Sequence, residues 1–254
     1  MQLVVDLLPK DHYEDVVVVI DVLRTCTAAA LLCANGLDEL YICSSVRSSH
    51  KLAKSRLKTQ PPLLLLGERD GMPPEGFNYS NSPTELMQVD ISGKAALLLS
   101  NNSPTVLRHT RTASHVLLGS LYNAEAVIRH AANLADNTIH LVCSGHLGDE
   151  DIGDILAAGY MAALLSQVVL PTAADGAPQV ELDGTALMAM TMLKAFRDPL
   201  EALWHARAGQ VLRELDQASD VTFASYLSQA EAVPHLKQVI PSQPANVYQF
   251  EVLR

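Results

Sequence analysis

The segment Ile20-Asp21-Val22-Leu23-Arg24-Thr25 ends a β-branched run on a carboxylate and sets an arginine three residues later, with hydroxyls leading into an alanine-rich stretch. A carboxylate can hold a divalent cation, a guanidinium fork can grip phosphate, and a helix N-terminus offers free N–H groups. A helix cap alone would account for Asp21 or Thr25 but has no use for Arg24. Gly67-Glu68-Arg69-Asp70-Gly71 repeats the pairing after the apolar run 63–66, although alone it also reads as an exposed turn. Asn81 and Ser82 precede Pro83, where they could donate to an anion or cap a helix. Downstream of Cys143, Asp149, Glu150, Asp151 and Asp154, with Asp136 more loosely, gather near one strand end. Such crowding costs free energy that a divalent cation would offset; a solvated acidic loop is the plain alternative.

Several familiar chemistries are excluded. An aspartyl phosphotransferase of the haloacid dehalogenase type needs a second aspartate two residues after the first, and that position is Leu23. No G-x-x-x-x-G-K-[ST] loop and no G-x-G is present. Cys143 to Asp149 has the length of a cysteine-phosphatase loop, but Asp149 stands where arginine is required. His109, His115, His130, His140, His146 and His205 are scattered without H-E-x-x-H spacing, so oxygen ligands point to magnesium or manganese rather than zinc.

The elements that must position these groups alternate along the chain. Strand patterns cover 3–8, 16–20, 40–43, 63–66, 95–99, 116–118 and 139–143; helix patterns cover 25–35, 48–58, 105–112, 123–134 and 154–169. That order predicts a three-layer α/β/α fold with a largely parallel sheet, whose ligands bind beyond the carboxyl ends of strands. Residues 171–178 form a candidate boundary between a site-bearing α/β portion, 1–170, and a C-terminal α+β portion, 171–254, packed on it or integrated with it. The latter is expected to carry helices at 185–196 and 199–215, the second opened by Asp198-Pro199, and strands at 220–224 and 247–253.

Composition narrows the partners. The 254 residues carry a net charge of −10, which disfavours nucleic acid. The one basic cluster, Arg47, Lys51, Lys54, Arg56 and Lys58, has the spacing of a solvated helix face. No apolar run approaches the roughly 20 residues of a membrane span, and no leader follows Met1, so a cytoplasmic protein is expected. Cys26, Cys33, Cys43 and Cys143 form no C-x-x-C pair and read as buried thiols. A mean hydropathy of +0.14 is compatible with a homo-oligomer face.

Ile20 to Arg24, Gly67-Glu68-Arg69, Gly76-Phe77 with Asn81-Ser82-Pro83, Ser120 with Asn123-Ala124, and the stretch 143–159 together resemble the 2-phosphosulfolactate phosphatases of the ComB type. The resemblance implies an α/β magnesium-dependent phosphatase acting on 2-phospho-3-sulfolactate in coenzyme M biosynthesis, or on a related small phosphorylated 2-hydroxy acid. It implies Asp21, Glu68 and Asp154 at the metal and, with Arg24, in catalysis. Arg24, Thr25, Arg69, Asn81, Ser82, Asn101, Asn102 and Gly145 become the candidates to bind substrate. Three departures stand out. Ser100-Asn101-Asn102-Ser103-Pro104-Thr105 replaces a Thr-Thr-Asn-Gly-Thr loop, Gly153-Asp154 replaces Glu-Asp, and Ala206-Arg207-Ala208-Gly209 replaces Ser-x-His-Gly. A weakened or inactive relative that binds a small anion is the alternative they raise.

Overall fold

A computed structural model describes residues 1–57, 63–69, 72–166 and 180–254. Among them, β1 (Gln2–Asp6), β2 (Val16–Ile20), β3 (Glu39–Cys43), β4 (Leu63–Gly67), β5 (Ala95–Leu99), β6 (His115–Gly119), β7 (Thr138–Cys143), β8 (Glu181–Leu182), β9 (Val233–Ile240) and β10 (Val247–Leu253) form one sheet. Its order is β4-β5-β3-β10-β9-β6-β2-β7-β1-β8. Two parallel blocks, β4-β5-β3 and β6-β2-β7-β1-β8, are joined through the antiparallel β9–β10 pair. The C-terminal hairpin therefore lies inside the sheet rather than on its edge.

β2 is five β-branched residues buried on both faces, the composition a central parallel strand demands. Each such side chain contributes about 1.5–3 kcal/mol by leaving water. On one face Val16, Val18 and Ile20, with Leu3, Val5, Ile139 and Leu141, pack against α5 (Ala124–Leu134), α6 (Ile152–Leu164), α7 (Gly184–Met192) and α8 (Pro199–His205). On the other, Val17, Val19, Leu40, Ile42, Ala96 and Leu98 meet α1 (Thr25–Ala34), α3 (Pro83–Leu86) and α4 (Ser103–Leu107). The alternate residues of β3, β4 and β5 pack on α2 (Val46–Arg56) through Leu52 and Ala53. The result is a three-layer α/β/α fold.

The sequence expectations are corrected at five places. Residues 220–224 are not a strand but lie in α10 (Ala218–Ala224), because burial of Asp220, Val221, Phe223 and Ala224 on a helical spacing overrides a β-leaning composition. The stretch 199–215 is two helices, α8 and α9 (Arg207–Glu214), broken where Ala206 adopts extended backbone. Strand β9 was not anticipated: Pro234 and its exposed polar residues disguise it. The helix 154–169 starts earlier, with Asp151 rather than Asp154 capping Gly153 N. Helix 105–112 likewise begins at Ser103 and stops at Leu107. Asn123 ties the inserted hairpin to the parallel block, its Nδ2 donating to Leu118 O and Ala232 O. Lys58, Asp70, Gly71, the end of the 154–169 stretch and the segment 171–178 lie outside the described residues. No helix among the described residues is long and apolar enough to cross a membrane.

Candidate active site

β2 and β7 are neighbours in parallel register, Ile20 opposite Cys143, so the loops that follow them meet. The first loop carries Asp21 and the second leads to Asp154 near the start of α6; both are buried. Asp21 Oδ2 accepts from Ser103 Oγ at 2.5 Å, Ser103 N at 3.2 Å and Ser100 Oγ at 3.5 Å. Thr25 Oγ1 in turn donates to Ser100 Oγ at 2.9 Å. Asp154 accepts from Val22 N at 2.8 Å and Gly145 N at 3.0 Å, one bond to each oxygen. Gly145 reaches this position with φ +67, and a Cβ there would sit 2.3 Å from Asp149 O.

Burial raises the pKa of both carboxyls. At Asp21 the Ser103 and Thr25 donors oppose the rise. At Asp154 the neighbouring Asp21 and Asp151 charges add to it, and that carboxyl is pushed well above the carboxylate range. Two buried carboxylates side by side repel, and a cation or a proton must relieve them. Burial, then the Asp154 charge, also drives the Cys143 thiol well upward. Its surroundings are the opposite of those that make a thiolate nucleophile.

Arg24, the first residue before α1, has a side chain only 2% exposed. Nη1 donates to Asp220 Oδ2 at 2.7 Å and Gln217 Oε1 at 2.5 Å. Asp220 is held in turn by Ser82 Oγ at 2.7 Å and Thr84 Oγ1 at 2.6 Å. Nη2 stands 3.0 Å from Glu68 Oε2 but is not aligned for a hydrogen bond and has no other partner. One edge of the guanidinium is thus anchored, and the other is left with a donor to give. Glu68 follows Gly67, which has φ +135 and where a Cβ would sit 2.7 Å from Leu99 O, so the position requires glycine.

These groups surround a cavity of about 330 Å³, within the range of small-ligand sites. Asp21, Arg24, Thr25, Glu68, Asn81, Asn101 and Asn102 line it. Asn81 Oδ1 is buried without a partner, so its amide is free to serve a ligand. Asp154 and Gly145 do not line the cavity and sit behind Asp21. Ser82 caps α3 and supports Asp220. Arg69 is turned away, donating to Ser44 O at 3.3 Å.

Ser100 and Ser103 entered the sequence reading only as members of a departing loop, and Gln217 and Asp220 escaped it as site residues. So did a second wall of the cavity made by Leu23, Leu147 and the α9 residues Ala208, Val211 and Leu212, continued by Leu215. The 208/211/212/215 spacing is a helical apolar stripe, but nothing local in the sequence marks it as a ligand wall. Asp220 carries no local signal either, since an aspartate in a helix's first turn reads as dipole compensation.

Among the described residues no three His, Cys, Asp or Glu side chains converge as a metal cage. Asp21 and Asp154 form a pair, and Glu68 faces Arg24. A magnesium-type ion, which keeps several waters and takes one or two carboxylates plus substrate oxygens, fits a paired, charge-crowded site beside an open cavity.

The family model for 2-phosphosulpholactate phosphatase matches residues 2–239. A probable 2-phosphosulfolactate phosphatase of Deinococcus radiodurans is 37% identical, covering 98% of this chain and 99% of that one. A like-named protein of Thermus thermophilus is 34% identical over 93% and 95% of the two chains, and one of Caldanaerobacter subterraneus 29% over 91% of each. With its strand-end carboxylates and its arginine in one cavity, the chain belongs to the 2-phosphosulpholactate phosphatase family.

Proposed function

We propose that this chain hydrolyses the phosphate ester of a small 2-hydroxy acid such as 2-phospho-3-sulfolactate, with magnesium or manganese, in the cytoplasm. One observation carries the reading: Asp21, buried and charge-coupled to Asp154 at adjacent strand ends, shares the lining of a cavity of small-acid size with an anchored arginine whose Nη2 makes no hydrogen bond. Four buried free thiols suit a reducing compartment.

The metal would be held by Asp21, with Asp154 and Glu68 supplying further negative charge. When bound it polarises the phosphoryl group as a Lewis acid. The protein's own contribution is positioning and electrostatics. Arg24 Nη2 donates to a phosphoryl oxygen while Asp220 and Gln217 keep the guanidinium from turning. Because that fork is pre-set and nearly dry, its charge acts on the transition state with little reorganisation. Asn81, Asn101 and Asn102 orient the ester from the other side, and Thr25 steadies Ser100 beneath Asp21.

The test is phosphate release from 2-phospho-3-sulfolactate with magnesium, with chelator, and with Asp21→Asn. Release should vanish with chelator and fall at least about 100-fold in the variant, the scale of losing one preorganised electrostatic contact. Activity indifferent to both would end this reading.

A further inference from the structure

Resting on the phosphatase reading, we propose that His146 is the general acid of the reaction, the side chain that gives a proton to the 2-hydroxy oxygen as the phosphoryl group departs.

The chemistry calls for such a group. Cleaving the P–O bond of an aliphatic ester expels a strongly basic alkoxide, and a positioned acid that protonates it contributes about 10²–10⁴-fold. Among the described residues the titratable side chains lining the cavity are Asp21, Arg24, Glu68 and His146. Arg24 does not release its proton. Glu68 stands 3.0 Å from it as a counter-charge, and Asp21 is the carboxylate given to the cation. The imidazole remains, a group suited to holding and surrendering a proton near neutral pH.

The fold mounts His146 for this task. Val22 N and Gly145 N bind the two oxygens of Asp154, which staples the loop after β7 to the loop carrying Asp21. His146 is the next residue, and it opens a tight hairpin. His146 N donates to Asp149 O at 2.8 Å and Asp149 N to His146 O at 3.2 Å, with Leu147 and Gly148 both at positive φ, as a primed two-residue turn requires. Asn102 Oδ1 accepts from Leu147 N at 3.4 Å and ties the hairpin to the loop after β5. The charges at its far end, Asp149 and Arg207, are spent on each other at 2.8 Å. The His146 ring is half-buried and makes no hydrogen bond, ion pair or ring contact with any described residue. It is free to face the ester.

In the step itself a water oxygen bonds to phosphorus while the ester P–O bond breaks. The electron pair of that bond goes to the 2-hydroxy oxygen, which takes the proton from the His146 imidazolium. The products are the hydroxy acid, dihydrogen phosphate and a neutral imidazole. Dihydrogen phosphate returns one proton to the ring and leaves as monohydrogen phosphate, so no other reactant is consumed.

The experiment is His146→Gln at saturating magnesium, a change that keeps a polar side chain but no acid. With 2-phospho-3-sulfolactate, kcat should fall about 100-fold or more while KM stays within about threefold, the sign of a contact made only in the transition state. The alkaline limb of the parent's kcat/KM profile should disappear, and Tm should match the parent's. Phosphoenolpyruvate, whose enolate leaves more readily, should lose at least about tenfold less than the aliphatic ester. A kcat near the parent's, a loss confined to KM with the alkaline limb kept, or equal losses on the two esters overturns the inference and leaves the phosphatase reading standing. A parent protein that releases phosphate from neither ester removes the phosphatase reading, and the inference falls with it.

Discussion

Asp220→Asn tests whether the C-terminal helix α10 sets the site. In the native protein Asp220 is 1% exposed and takes Arg24 Nη1 at 2.7 Å, Ser82 Oγ at 2.7 Å and Thr84 Oγ1 at 2.6 Å. An asparagine keeps one oxygen for the two hydroxyls and turns an NH2 toward the guanidinium, so donor meets donor. Glu68 cannot take over, because it is a third exposed and not aligned with Nη2. Breaking a buried ion pair from one side costs about 3–5 kcal/mol. The hydroxyl bonds that survive and the remaining Glu68 charge place this case near the lower end, about 3 kcal/mol. For a chain of this size that lowers Tm by roughly 6–12 °C, at about 2–4 °C per kcal/mol. Denaturant melts should show the loss with an unchanged m value, and phosphate release should fall with it as Arg24 loses its orientation. A variant within about 0.5 kcal/mol of the parent and with full activity would refute the claim that Asp220 holds Arg24 in place.

Three further outcomes follow from the same geometry. The pKa values of Asp21 and Asp154 are raised on folding, so the stability they allow is complete below about pH 4 and is lost as pH rises through their folded values. The Tm gap between magnesium and chelator should therefore widen steadily from about pH 4 upward, and a gap that stays flat or closes would contradict the paired-carboxylate account. Gly145→Ala forces a Cβ to within 2.3 Å of Asp149 O, displaces the N–H given to Asp154, and should cost about 1–3 kcal/mol; a neutral effect in thermal melts would speak against it. Cys143→Ala should lower stability by about 1–3 kcal/mol but leave kcat within about threefold when compared in the stable range, because a buried thiol of raised pKa attacks nothing. Loss of turnover at intact fold would restore the thiol as nucleophile.

The parallel skeleton was legible because its strands are short β-branched or leucine runs ended by polar residues, as at Ile20-Asp21 and Leu99-Ser100. Asp21 and Asp154 were both named as strand-end candidates, but their pairing follows from the β2–β7 register, which the sequence alone does not give. What stayed hidden is nonlocal. Pro234 and a half-exposed face conceal β9, whose partners lie in β6 and β10. Val221, Thr222 and Phe223 lean toward strand by composition, yet the environment of α3 and α9 makes them helix and brings Asp220 onto Arg24. Ser103 was read as part of a departing loop, and its bonds to Asp21 make it a structural support of the site. The apolar wall from α9 could not be foreseen, since a stripe at helical spacing declares burial without naming what covers it.

The central claim is that Asp21 and Arg24 gather a cation and a phosphoryl group in one cavity. A crystal structure of the protein soaked with magnesium and inorganic phosphate tests it most directly. The account predicts cation density at about 2.1 Å from an Asp21 oxygen and a phosphate oxygen within hydrogen-bond reach of Arg24 Nη2. A cation and a phosphate bound elsewhere, with Asp21 still held only by Ser100 and Ser103, would contradict it.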